Sequence, residues 1–375
     1  MVGLLSAWRS WSERRQILRD IRTRRADHRE QIRFKVKDEL THALSALERD
    51  DHKYASDVWS KLMEREPEVA RESRLALRVL LGLRRFDEAE AIMLVGQKKH
   101  TTDPYYAKGL AEVAQAKGDL NIAVERWAFL RKRFPGVVEG YSHGASALRE
   151  LGQIQSAESL ALVAIERFPD QVAGPLEYAR IAVERQAWEE ALQRWEIVRD
   201  RFGYKGGFLG CAQALAQLGR YADAEEILER ARLQFSSDPE FLCELARVAE
   251  KKDNSAQSAQ RWKEVVRRFP LDMHVTLAAS EAFERLGDAA EAEATLRACI
   301  ERFELEERPR LELAKLFHYQ RRDFTAAANA WAELRKAFPD NTDSYLRGAE
   351  ALRESGQSEE ADALREEYSL RFKLS

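Results

Sequence analysis

Eight phenylalanines in this chain recur at a fixed interval: Phe134, Phe168, Phe202, Phe235, Phe269, Phe303, Phe338 and Phe372 follow one another at 34, 34, 33, 34, 34, 35 and 34 residues. Four of them stand before a proline, at Pro135, Pro169, Pro270 and Pro339, and Gly203 follows Phe202. Counting back in steps of 34 reaches His100 and then Glu66, which Pro67 follows. Length alone would divide 375 residues into two or three globular domains. A sustained period of this size replaces that division with one array of equal pieces, each burying its apolar face against the next.

Two further marks keep the same phase. Eleven residues before each phased position the residue is small: Ala55, Ala89, Ala123, Ala157, Ala191, Ala224, Ser258, Ala292, Ala327 and Ala361. Five residues earlier still stand Gly118, Gly152, Gly219, Gly287 and Gly356. Each piece therefore reads as a helix closed by a left-handed glycine, a second helix whose small residue lets two backbones approach, and a stop that proline enforces. Cations such as Arg133, Arg167, Arg201, Arg268 and Arg302 fall at the end of the second helix, where they complement its dipole. A hydrophobic fraction of 45 % with 33 % charged residues and only 9 Pro fits a soluble, all-α chain. Cys211, Cys243 and Cys299 show no CxxC spacing, so neither a disulfide framework nor a zinc ribbon is expected.

On these marks the sequence resembles the tetratricopeptide-repeat family, whose helix-turn-helix unit has 34 residues. The resemblance covers residues 36–375 in about ten repeats and implies a right-handed α-solenoid, with an extra helix over residues 1–35. The bulky slot seven residues before the phenylalanine holds Trp59, Trp127, Trp195, Trp262 and Trp331 in alternate repeats, and Met93, Ala161, Leu228, Leu296 and Arg365 in the others. Aromatics at one helical slot are expected to be core. Repeats ending at Glu66 and His100 are degenerate, and Arg365 in the last repeat suits a solvated cap.

No HExxH, GxSxG or GxxxxGK[ST] motif occurs, the seven histidines form no ligand pair, and the glycines of Gly206-Gly207-Phe208-Leu209-Gly210 open a first helix, where close packing explains them. The expectation is a non-catalytic chain with no cofactor and no metal. The resemblance implies that first helices line a concave face that displays Tyr141, His143, Ser146 and Arg149, then Leu176, Tyr178 and Arg180, then Leu209 and Gln213, then Leu277. This mixed lining suits an amphipathic helix or extended segment of a partner protein. None of the four asparagines falls on a first helix in this phasing, which disfavours the Lys/Asn carboxylate clamp known in part of the family.

Residues 1–37 carry eleven Lys/Arg against four Asp/Glu, whereas the remaining 338 carry 50 against 60. Leu4, Leu5, Trp8 and Trp11 fall on one helical face ahead of Arg14 and Arg15, a pattern that suits an anionic membrane surface or a membrane protein. A cap on the first repeat, packed through Ile17, Leu18, Ile21 and Ile32, fits the same segment, as do a nucleic-acid tract and a targeting peptide. Glu13, Asp20, Asp27 and Glu30 weigh against targeting, and the acidic body weighs against nucleic acid. The sequence thus predicts a scaffold or adaptor for protein partners, cytoplasmic or peripheral at the inner face of a membrane. An accessory subunit of an enzyme or biosynthetic assembly is the alternative, and an RNA-processing solenoid a more distant one.

Overall fold

The structure, a computed structural model, describes residues 27–49 and 51–372. Among them there is no strand. The chain forms two compact bodies, Met1–Ile181 and Ala182–Ser375.

In the first body, α1 occupies residues 27–48 and is followed by α2 (His52–Arg65), α3 (Pro67–Glu72), α4 (Arg74–Gly82), α5 (Phe86–Lys99), α6 (Pro104–Lys117), α7 (Leu120–Arg133), α8 (Glu139–Glu150), α9 (Ile154–Arg167) and most of α10 (Ala173–Glu184). The second body continues with α11 (Trp188–Phe202), α12 (Lys205–Gln217), α13 (Tyr221–Gln234), α14 (Glu240–Lys251), α15 (Ser255–Arg268), α16 (Met273–Arg285) and α17 (Ala289–Arg302). It ends with α18 (Arg308–Lys315), a π-helical turn over Leu316–Gln320, α19 (Phe324–Ala337), α20 (Thr342–Glu354) and α21 (Ser358–Phe372). Within each body helices pack against their chain neighbours, as α6 does α7 and α14 does α15, and first helices also touch the next first helix, as α4 does α6, α6 does α8 and α12 does α14. This is the pairwise stacking of an all-α solenoid.

The three marks take the places that their chemistry requires. All ten small residues at the Ala55-to-Ala361 slot have no exposed surface. Trp59 and Trp127 are fully buried, and Trp195, Trp262 and Trp331 are nearly so. At Phe134, Phe168, Phe269 and Phe338 the helix stops one residue earlier and the backbone leaves the helical region with ψ between 54° and 78°; His100, Phe235 and Phe303 make the same turn without a following proline. Where Gly203 replaces proline, α11 runs through Phe202 and closes on the glycine in αL.

In most repeats the turn is a Schellman motif: Asp119 N–H reaches the Ala114 carbonyl at 2.9 Å, Gln153 that of Leu148 at 2.8 Å, and Asp288 that of Phe283 at 2.8 Å. Gly118, Gly152, Gly219, Gly287 and Gly356 supply its left-handed residue as expected, but Arg84, Gln186, Asp253 and Arg322 adopt the same conformation in four other repeats, with φ between 51° and 57°. The 35-residue interval between Phe303 and Phe338 has a physical counterpart. Its extra residue is taken up by the π turn after α18, and Asp323 N–H there reaches back six residues, to Phe317.

The degenerate second repeat is visibly irregular. Its first helix is interrupted at Ser73, whose extended backbone separates α3 from α4 while its hydroxyl caps Leu75 N–H. Helix α1 crosses the expected boundary at residues 35/36 without interruption, and Val36, Leu40, Ala43 and Ala46 are buried in the first core with Ile32 packed against it.

Candidate protein-binding face on the first helices

In the first body, successive first helices are joined by charged side chains. Lys108 on α6 donates from Nζ to Glu139 Oε1 on α8 at 2.7 Å, and lies 3.8 Å from Glu112. Gln115 on α6 donates to Glu150 Oε1 at 2.8 Å, and Ser146 Oγ donates to the same oxygen at 2.9 Å. Arg149 Nε then donates to Glu177 Oε1 on α10 at 2.7 Å, with Arg180 3.6 Å from the other carboxylate oxygen. His143 stands between these pairs, exposed but stacked on Trp127 at 5.2 Å.

Burial and charge divide the ionisation of this row. Burial pushes the Glu177 carboxyl above its ordinary value, against the opposing pull of Arg149 and Arg180. For Glu139 burial also acts upward, but the Lys108 hydrogen bond, a backbone hydrogen bond and the Lys108 charge together hold it below the ordinary value. Desolvation of the imidazole stacked on Trp127, and then the neighbouring Lys108 charge, lower the His143 pKa although the residue as a whole stays exposed, so its imidazole is neutral at pH 7.

The expected lining divides into displayed and enclosed residues. His143, Arg180 and Gln213 are exposed, and Ser146, Arg149, Leu176 and Tyr178 are half-buried. Tyr141, Leu209 and Leu277 are corrections: each is less than a tenth exposed and packs inward. Tyr141 meets Phe168 edge to face at 5.4 Å and directs its hydroxyl to the Pro135 carbonyl, because its helix position faces the second helix of its own repeat. The sequence reading missed Lys108, Glu139 and Glu177, whose signal was an opposite charge about one period away, at 31 residues for Lys108–Glu139 and 28 for Arg149–Glu177. In the second body Lys205 pairs in the same manner with Asp238 at 2.8 Å, and Arg285 with Glu250 at 3.3 Å. Leu4, Leu5, Trp8, Trp11, Arg14 and Arg15 lie outside the described residues.

The glycine-rich opening of α12 is a packing device. A Cβ on Gly207 would stand 2.4 Å from the Arg199 backbone nitrogen, and one on Gly210 would stand 2.2 Å from the Trp195 ring. Burial raises the thiols of Cys211 to about 12 and of Cys243 and Cys299 to about 11, so all three are poor nucleophiles. Among the described residues no group of His, Cys, Asp and Glu could hold a metal ion, and no helix is long and apolar enough to cross a membrane.

Two tetratricopeptide-repeat family models match the sequence, one over residues 206–248 and the other over residues 243–304 and 312–371. The chain carries tetratricopeptide repeats. Such repeats generally mediate protein–protein interaction, and the array continues with the same period through the first body, outside the matched residues. Solved structures similar to this tetratricopeptide chain include a tetratricopeptide repeat protein from Parabacteroides merdae, at 16 % identity and a TM-score of 0.41, covering 65 % of this chain and 95 % of that one. Yeast Tom70 is similar at 15 % identity and 0.44, covering 87 % and 83 %, and YrrB, described as a TPR protein with an unusual peptide-binding site, at 16 % and 0.33, covering 48 % and 93 %. No curated protein matches the sequence significantly.

Proposed function

We propose that this chain is a non-catalytic scaffold that holds segments of partner proteins against its first helices. The observation that carries this reading is the row on α6, α8 and α10, where interhelical ion pairs fix the helices while His143 and Arg180 stay open to solvent. A surface held in place before a partner arrives loses little conformational entropy on binding, so modest contacts along it add up to useful affinity. Half-buried Leu176 and Tyr178 supply apolar contact beside the charges. A partner segment with carboxylates and apolar side chains fits this lining.

The test is affinity capture with the full chain and with His143→Ala/Arg180→Glu, followed by identification of the captured proteins. Specific partners should be recovered by the wild type and lost by the variant at unchanged helicity. Identical capture by both would remove this face from the reading. An enzyme among the lost partners would make the chain an accessory subunit of that enzyme. The membrane expectation rests on Trp8 and Trp11: Trp8→Ala/Trp11→Ala should reduce flotation with phosphatidylserine-containing vesicles, and unchanged flotation would exclude it.

A further inference from the structure

A second surface of the first body is marked by the repeat phase itself. Five residues before the phased position, the second helices α5, α7 and α9 carry Val95, Phe129 and Val163, which are 56 %, 50 % and 43 % exposed. Leu94 and Leu162, one residue earlier on α5 and α9, are exposed as well. The fold does not require apolar residues there, since the same slot holds Lys61, Arg230, Glu264, Glu333 and Glu367 in five other repeats, although Ile197 and Ala298 fill it in the remaining two. Three consecutive repeats of the first body thus place large apolar side chains in water at a slot that is charged in half of the repeats, and exposed apolar side chains repeated in this way mark interaction sites.

One helical turn further along, the same helices end in Lys98 and Lys99, Lys132 and Arg133, and Arg167, all exposed, with Glu166 the one carboxylate among them. Helix-end cations complement the dipole, but here they also run parallel to the apolar row and give it a basic margin. On the other side, one turn before the apolar row, stand Ala91, Glu125 and Ser159, all exposed, so that edge carries no cation. A face of this composition is one-sidedly basic, which suits a protein ligand with an asymmetric charge pattern better than a uniformly anionic bilayer. The backbone groups of α5, α7 and α9 are consumed by their own helices, so the surface has no strand edge for an extended peptide to join. A partner helix brings its backbone already satisfied.

We propose that Val95, Phe129 and Val163, bordered by Lys99, Arg133 and Arg167, form a docking surface for an amphipathic helix of a partner protein whose apolar face is flanked by carboxylates. Phe129 is the central anchor, as buried aromatics at interface centres usually are. This surface is separate from the first-helix face and does not depend on its role.

The probe is a fluorescent amphipathic peptide of three heptads, with Leu on one helical face and Glu along its flank, titrated against the full chain by anisotropy. A counterpart with Lys in place of Glu is the control. The Glu peptide should bind, the Lys peptide at least ~10-fold more weakly, and Phe129→Asp should weaken the Glu peptide by ~10-fold or more at an unchanged melting temperature. Val163→Asp should act in the same direction and serves if Phe129→Asp disturbs folding. Lys132→Glu/Arg133→Glu should lower affinity and flatten its salt dependence. Equal binding by wild type and both apolar variants would overturn the proposal. So would Phe129-dependent flotation with phosphatidylserine vesicles in the absence of peptide binding, which would assign the row to lipid. A dimer in sedimentation velocity that Phe129→Asp converts to monomer would assign it to a second copy of this chain.

Discussion

The five phased tryptophans share a slot, but their indole N–H groups do not share a partner. Trp127 donates to Gln115 at 3.0 Å and Trp262 to Glu250 at 2.9 Å, each acceptor lying twelve residues earlier on the first helix of the same repeat. Trp331 donates to His318 Nδ1 at 3.2 Å, thirteen residues earlier, because the π turn has added one residue. Trp59 takes Glu88 at 3.0 Å. Twelve residues before Trp195 stands Val183, which has no acceptor, and the Trp195 N–H is buried without a hydrogen bond. A buried unsatisfied donor costs about 1–3 kcal/mol, so Val183→Gln should raise stability in urea titration by about 1 kcal/mol. Trp195→Phe should correspondingly cost less than Trp127→Phe. Burial of the rings was legible because slots repeat; the missing partner was not, because it depends on a residue that no periodic mark singles out. Backbone strain gives a second residue-level expectation. Gln186 holds φ 55° where five repeats use glycine. Relief of about 1–2 kcal/mol, less the added entropy of glycine at about 0.5–1 kcal/mol, leaves Gln186→Gly more stable by about 0.5–1 kcal/mol in the same titration. Thiol titration with an aromatic disulfide at pH 8 should label almost none of the three cysteines in the folded chain and all three in guanidinium.

Single helices show where a repeat reading stops. The sequence assigned Tyr141, Leu209 and Leu277 to an open face because first helices were treated as having one displayed side. Helices pressed between two neighbours keep only a narrow strip in contact with solvent, and these three residues fall outside it. Ion pairs between first helices were equally hard to read, since Lys108 and Glu139 are 31 residues apart and only the stacking makes them adjacent. The strip has a consequence for pH. The His143 pKa is lowered in the folded state, so between that value and the ordinary 6.5 the unfolded chain binds the extra proton. Stability from this group is therefore complete above pH 6.5, is lost as pH falls through that interval, and changes no further once both states are protonated. Thermal melts from pH 7.5 to 5 should show this loss in the wild type and a shallower one in His143→Gln; parallel curves would contradict it.

At the scale of the molecule, the ten-repeat count and the helical class were legible from three marks, because a period that persists through the chain leaves few alternatives. The division into bodies at Ile181 and Ala182 was not, since the phase runs through α10 without a break. Stability in such an array is a sum of repeat and nearest-neighbour terms. Trp331→Ala should cost about 3–5 kcal/mol, and hydrogen exchange should show lost protection in α18 to α21 with that of α6 to α9 unchanged; uniform loss throughout the chain would mean that the array melts as one cooperative block. The π turn at Leu316–Gln320 bears on how much variation in repeat length such an array tolerates. The additional residue there is taken up within a single turn of helix: Ala327 and Trp331 are buried at their usual slots downstream, and α19 stops before Phe338 as the other second helices stop before theirs. A one-residue excess is thus absorbed inside the repeat that carries it, and the helices that follow keep the frame of the array.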